Sequence, residues 1–283
     1  MNTKPYPAGP GGRALVVTRV ADGQWHVLDD DLVAGRGHAA RRPDGRMFVS
    51  IDAWHRAAFD RLAEVMVTDL PAPLHTVVGE ADAEESADWQ RFGFTIRRRE
   101  WEFVMPTAAP ASALTSALTS APAELAEPAG SRVSRAPAGV RIIPAGQADE
   151  NLLRDLDREI RAEVEASVGW HSMPAEVRPR PKDDTIVDPS RYAVAATTAA
   201  DRYLGLVRVV TATRQPRIGL IAVRAAEQRR GIARALLSHV LETLHRSGVA
   251  AATAEVDESN KPALALLESI GGRRTSSILE LVR

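Results

Sequence analysis

Apolar positions in the second half of the chain recur with two periods. In ADENLLRDLDREIRAEV (148–164), Leu152, Leu153, Leu156, Ile160 and Val164 lie three or four apart or adjacent, as on a helix with one buried stripe. Asp149 and Glu150 suit its N-terminal end, where the helix dipole is positive. GVRIIPA (139–145) reads as a short strand. RYAVAATTA and YLGLVRVVTAT read as two strands turning near Asp201. RIGLIAV (217–223) is almost wholly apolar, which predicts a central strand. A helix follows from about Arg229 to Ser247, closed by Gly248. Then come a strand over 249–257, a helix over NKPALALLESI with Pro262 in its first turn, and a last strand, RRTSSILELV. This order predicts a mixed sheet flanked by helices.

The first half gives strands at RALVVTRV, QWHVLDD and RMFVSIDAW, with Asp-Gly turns at Asp22-Gly23 and Asp44-Gly45. HRAAFDRLAEVMVTDL is helical, with Phe59, Leu62, Val65 and Met66 on one face. LHTVVGEAD is a strand, AEESADWQRFG a helix and FTIRRREWEFVM a strand. Strand, helix, strand, helix, strand is also the order that closes the second half. WQRFGFTIRRREWEFVM runs parallel to LLESIGGRRTSSILELV, with Gly93 opposite Gly271. The pattern is that of a diverged internal duplication; two unrelated α/β domains with similar endings are the alternative.

Composition divides the halves. Residues 106–138 are dominated by Ala, Pro, Ser and Thr, and such a segment buries too little apolar surface to offset chain entropy. It reads as a linker, giving domains at 1–105 and 139–283. Elsewhere, 45% hydrophobic and 26% charged residues are ordinary for a globular protein. A net charge of -1 gives no field for nucleic acid or anionic lipid, and no nucleic-acid motif is present. The absence of cysteine excludes disulfides, thiolate catalysis and Cys-based metal sites, and no metal is expected. MNTKPYPAGPGG carries no apolar signal core, and no uncharged run resembles a membrane span, so a soluble cytoplasmic protein is expected.

The candidate chemistry lies at Gln228-Arg229-Arg230-Gly231-Ile232-Ala233, between the strand ending Ile221-Ala222-Val223 and a long helix. A helix N-terminus offers unpaired N–H groups and a positive dipole end to an anion. Gly231 lets a phosphate approach the backbone, and Ala233 keeps the next position small. Arg229 and Arg230 either meet the phosphates or stay solvated. A capped helix start without a ligand is the alternative.

These residues resemble the coenzyme motif Q/R-x-x-G-x-G/A of the GNAT N-acetyltransferase superfamily. Asn260, Ala263, Leu266, Glu268 and Gly271 match its downstream motif, N-x-x-A-x-x-L-Y-E-x-x-G-F. The resemblance covers residues 139–283 well and 13–105 weakly. It implies an α/β (α+β) fold of two GNAT-like domains, each a mixed, mostly antiparallel sheet flanked by helices. It implies acetyl-CoA as co-substrate, with its pyrophosphate on Gln228, Arg229, Arg230, Gly231, Ile232, Ala233 and Arg234. Its pantetheine arm would run along Ile221, Ala222 and Val223, where that strand splays from 251–257. Asn260 would serve near the pantetheine, cap the following helix, or both.

The implied activity is transfer of an acetyl group to a primary amine of a small molecule, antibiotic-like metabolite or peptide. A non-catalytic acyl-CoA-binding sensor or partner protein is the alternative. The family's usual acid–base residues are missing: the Tyr position is Leu267 and a common Glu position is Arg217, while Gly272 replaces the motif's Phe. Glu255 and His171 are the remaining acid–base candidates, and positioning with water as proton relay is the other route. Glu163, Glu165, Asp183, Asp184 and Asp188, in the segment 163–190, would suit a cationic acceptor. The first half has no glycine between Gly45 and Gly79, and SIDAWHRAAFDRL stands where the phosphate turn would be. It is expected not to bind acetyl-CoA but to support the second half, as a monomeric pseudo-dimer or within a homodimer.

Overall fold

The computed structural model describes residues 15–42, 45–108, 136–167, 169, 188–211 and 215–283. In chain order the elements are β1 (Val16–Ala21), β2 (Gln24–Asp29), β3 (Leu32–Arg41), β4 (Met47–Ala53), α1 (Arg56–Asp69), β5 (Leu74–Gly79), α2 (Ala83–Arg91) and β6 (Thr95–Pro106). They continue as β7 (Val140–Ile143), α3 (Glu150–Ser167), β8 (Tyr192–Thr197), β9 (Tyr203–Val210), β10 (Arg217–Val223), α4 (Ile232–Arg246), β11 (Ala251–Asp257), α5 (Lys261–Ser269) and β12 (Arg273–Val282). The chain forms two compact units, residues 1–100 with 276–283, and residues 101–275. Of the segment read as a linker, residues 109–135 lie outside the described residues.

In the first unit the sheet order is β1-β2-β3-β4-β5-β12. β12 pairs antiparallel with β5, from Ile278 opposite Gly79 to Val282 opposite His75, which is why residues 276–283 count with this unit. α1 and α2 cover one face. Ala58, Phe59, Leu62, Ala63 and Met66 of α1 meet Trp25, Val27, Val49, Ile51, Leu74, Leu279 and Leu281 of the sheet. Trp89 of α2 packs edge-on to Phe59 and Phe94, with ring centroids 5.1 and 4.8 Å away. β3 is a ten-residue strand that hydropathy did not reveal. It follows a two-residue turn at Asp30-Asp31, both at positive φ. Asn-Gly or Asp-Gly is the usual sequence for such a turn, and Gly35 and Gly37 further dilute the strand signal.

The second unit is a sheet between two helical layers, with strand order β6-β11-β10-β9-β8-β7. Ile232, Leu236, Leu237, Val240 and Leu241 of α4 join Leu264 and Leu267 of α5 on one face, against Phe103, Met105, Val207, Ile218, Ala252 and Ala254. Leu153, Leu156 and Ile160 of α3 cover the other face, against Tyr192, Val194, Tyr203 and Leu206. The other two positions of the apolar stripe, Leu152 and Val164, flank them, half-buried.

The two units repeat one pattern. In each, a parallel strand pair is joined by a helix and followed by a second, nine-residue helix: β4-α1-β5-α2 and β10-α4-β11-α5. Gly93 and Gly271, aligned from sequence, follow the two short helices with φ of 82° and 87°. An Asx side chain caps each short helix: Asp82 accepts from Glu85 N–H and Asn260 from Ala263 N–H.

Candidate functional site

β10 and β11 register as a parallel pair only at Arg217 opposite Thr253 and Ile218 opposite Ala254. Beyond Ile218 the two strands have no register, so they splay. β10 keeps its antiparallel partner β9 through Val223 opposite Gly205, with a bulge between Ile218 and Leu220. The splay leaves Ile221, Ala222 and Val223, all half-buried, without a registered partner on the β11 side as the strand runs to the turn before α4. The Gln228 side chain closes that turn by donating to Val223 O at 3.2 Å.

The start of α4 differs from the sequence expectation. The helix begins at Ile232 rather than near Arg229, because Arg229 and Gly231 both have positive φ, 64° and 83°. Arg230 between them does not. Turns with left-handed residues at a helix start can gather successive N–H groups on one side, the backbone shape that cups an anion. No side chain caps the helix at Gly231. A Cβ built at Gly231 would meet only Pro137 Cγ, at 3.8 Å, so the protein itself leaves this space open. Arg229 is a non-glycine residue held in a costly conformation, as occurs where ligands are gripped.

Around the turn, Arg229, Arg230 and Arg234 are exposed. Arg230 pairs with Glu227, whereas Arg229 and Arg234 have no ion-pair partner among the described residues. The side chain of Ile232 is in the core at 1% exposure, so this residue brings only its backbone to the turn. Ala233 is half-buried.

The other candidates separate. Asn260 Oδ1 accepts from Ala263 N–H at 3.2 Å, which is a capping role. Asn260→Ala is expected to cost about 1 kcal/mol of stability, measured by urea denaturation. Glu255 forms an ion pair with Arg217 at 2.8 Å, across the parallel register. Leu267 is 2% exposed within the core of the second unit, so the position of the family's usual tyrosine faces no solvent. A Cβ at Gly272 would lie 2.7 Å from Leu267 O, a sufficient reason for glycine where the family has Phe. His171, Asp183 and Asp184 lie outside the described residues. Glu163 accepts from Ala225 N–H at 2.8 Å, and Asp188 caps a short 3-10 turn through Ser190 N–H at 3.0 Å. Both acidic residues therefore have structural partners.

Sequence reasoning missed the support beneath the cradle. Arg224, 6% exposed, donates from Nε to Tyr203 O at 2.6 Å and pairs with Glu159 of α3. Together with Glu163, this fastens the turn before α4 to α3. An arginine directly after an apolar strand was the available signal.

The equivalent place in the first unit is built differently. β4 and β5 also register at only two pairs, Met47 opposite Leu74 and Phe48 opposite His75. At the start of α1, however, the N-cap is His55, whose Nδ1 accepts from Ala58 N–H at 3.1 Å. An imidazole occupies the end of the helix that the second unit leaves open.

Residues 158–271 match the model of the acetyltransferase (GNAT) family. This segment is a GNAT domain. Over nearly the whole chain, the fold resembles two solved GNAT structures. A GCN5-related N-acetyltransferase from Sphaerobacter thermophilus has a TM-score of 0.62 at 17% identity, covering 94% of this chain and 82% of that one. A tandem GNAT protein from the clavulanic acid biosynthesis pathway has a TM-score of 0.57 at 16% identity, covering 97% and 84%. At such identities the likeness is one of fold, and it extends over both units of the chain. Among curated proteins, the [ribosomal protein bS18]-alanine N-acetyltransferase of Escherichia coli K12 is 49% identical over 51 residues, 18% of this chain and 34% of that protein. Its Salmonella typhimurium counterpart is 37% identical over 81 residues, 29% and 55% respectively. The matched part thus spans about a third to a little over half of these relatives. No described helix is long and apolar enough to cross a membrane, and no three described His, Asp or Glu side chains cluster as metal ligands.

Proposed function

We propose that the GNAT domain is an acetyl-CoA-dependent N-acetyltransferase acting on a primary amine. The observation that carries this reading is the uncapped, doubly left-handed turn Arg229-Arg230-Gly231 at the N-terminus of α4, directly beyond a splayed parallel strand pair. The N–H groups at the start of α4 would hold the coenzyme's pyrophosphate, with Arg229 and Arg234 adding charge. The β10 segment Ile221–Val223 would hold the pantetheine arm as an added strand would. When bound, the coenzyme supplies an acetyl thioester, whose carbon–sulfur bond is exchanged for a carbon–nitrogen bond to the amine. The chain's own residues bind and orient the partners. Among the described candidates, Leu267 is a core residue and Glu255 is engaged by Arg217, so in this reading the amine proton passes to water, the coenzyme sulfur leaves as thiolate and takes a proton from water, and rate enhancement rests mainly on positioning.

Thiol release from acetyl-CoA across an amine panel tests this reading. Turnover of at least one amine, with acetyl-CoA raising the melting temperature, is expected. A melting shift without turnover of any amine would favour the non-catalytic sensor instead. The curated relatives' names make a peptide N-terminal alanine one member of that panel.

A further inference from the structure

Arg208 stands out from every other element of the GNAT domain's sheet. It lies on β9, in a stretch otherwise apolar from Tyr203 to Val210, opposite Tyr192 on β8 and Leu220 on β10. Directly opposed residues share a face. Leu220 and Ala222 pack with the α3 cluster, so Arg208 lies on the α3 face. Its guanidinium runs along the bulge: a Cβ at Gly219 would sit 3.0 Å from Nη2 and 3.1 Å from Nε. A side chain at position 219 would crowd the guanidinium, which would have to shift by a few tenths of an ångström, at the point where β10 leaves β11.

No carboxylate among the described residues pairs with Arg208, and its Nε–H is buried without a hydrogen-bond partner. The nearby charges are already matched. Asp157 and Arg161 of α3 pair with each other at 2.8 Å, and Glu255 pairs with Arg217. Tyr192, 2% exposed, has its pKa raised by burial, against the pull of the Arg208 charge and of a side-chain hydrogen bond with Arg208, so it answers the guanidinium as a hydrogen-bond partner and not as an anion. Among the described residues, Arg208 is therefore a positive charge without a carboxylate partner, half-sheltered from water. Such a charge is costly unless an anion answers it.

Arg217 and Glu255, on the α3 face beside the last registered pairs of β10 and β11, keep 26% and 39% of their side chains exposed, whereas Ile232, Leu236, Ala252 and Ala254 are core residues of the opposite face. An acceptor that approached the splay along the α3 face would meet Arg208.

We infer that Arg208 is a specificity-determining residue that selects acceptor amines carrying an oxyanion, a carboxylate or a phosphate, against neutral or purely cationic amines. A guanidinium fork matches either oxyanion. The inference rests on the acetyltransferase reading and reverses the cationic acceptor suggested by the acidic residues of 163–190, of which Glu163 and Asp188 have structural partners.

The test is thiol release from matched acceptors: free amino acids against their carboxamides, and O-phosphoethanolamine against ethanolamine. The expected result is at least ~10-fold higher kcat/KM for the anionic member of one series, about 1.4 kcal/mol, and the series identifies which oxyanion is taken. Arg208→Gln is expected to erase that preference through KM, and Arg208→Lys to retain part of it. Both variants should keep the acetyl-CoA-induced melting shift, which shows that they fold and load. Equal or inverted rates within both series, no turnover of any anionic member, or an unchanged preference in Arg208→Gln would overturn the inference while leaving the coenzyme reading intact. Loss of the melting shift in wild type would overturn the coenzyme reading and this inference with it.

Discussion

Gly231→Glu is expected to lower acetyl-CoA affinity by about 100-fold or more while leaving the chain folded. The two parts of that expectation have separate causes. A side chain at φ 83° pays a left-handed conformational cost of about 1–2 kcal/mol. A Cβ there meets nothing closer than 3.8 Å, so no steric collapse adds to it. Binding suffers more. A carboxylate about 5 Å from one phosphate charge, at an effective dielectric of about 20, is repelled by about 3 kcal/mol. Gly231→Ala separates the effects, because it pays the backbone cost without the charge and should lose far less affinity. Calorimetry on the three proteins reads the comparison, with the melting temperature as the check on folding. Equal affinities for wild type and Gly231→Glu would remove the pyrophosphate from this turn.

The second large effect falls in the first unit, at Glu280. This carboxylate is 9% exposed and accepts from Arg46 at 2.6 Å and Arg97 at 2.8 Å, with His75 Nδ1 at 3.0 Å. His75 is itself buried and stacked on Phe48, with ring centroids 5.3 Å apart. Burial pushes the Glu280 carboxyl up, but His75, Arg46, Arg97 and Arg98 together outweigh it and hold it below the ordinary carboxylate value. Glu280→Ala leaves two guanidinium groups and an imidazole facing a gap. Breaking a buried ion pair from one side costs about 3–5 kcal/mol, or roughly 10–20 °C in melting temperature for a unit of this size. Because the folded pKa is depressed, the stabilisation is fully present above the unfolded carboxylate pKa and is lost as pH falls through the folded value. The stability gap between wild type and Glu280→Ala should therefore be widest near neutrality and shrink in acid. A gap independent of pH between 7 and 3 would show that the loss is one of packing and not of charge.

The glycine turn before α4 was legible in the sequence because its information is local: a glycine between an apolar strand and an amphipathic helix marks a helix start with little help from tertiary structure. The positive φ of Arg229 was not legible, since nothing in that residue type favours it, and the helix therefore starts later than hydropathy indicates. The splay of β10 from β11 was expected from the family resemblance alone, because it depends on register between segments far apart in the chain and has no local signal. β3 was missed because its glycines and the Asp30-Asp31 turn look like loop. The difference between the units was half legible. The lack of glycine before α1 was plain, but the capping imidazole of His55 takes a side-chain direction to see. Arg208 was read as one more strand residue, although a lone arginine in an apolar strand is itself a signal of unmet charge.

The duplicated pattern, with one helix start open and the other closed by His55, yields a number that a single titration can return. Isothermal calorimetry of acetyl-CoA into the 283-residue chain should give a stoichiometry of one per chain, abolished in the accessible concentration range by Gly231→Glu. A stoichiometry of two, or binding that survives Gly231→Glu undiminished, would contradict the assignment of the coenzyme to the α4 cradle alone.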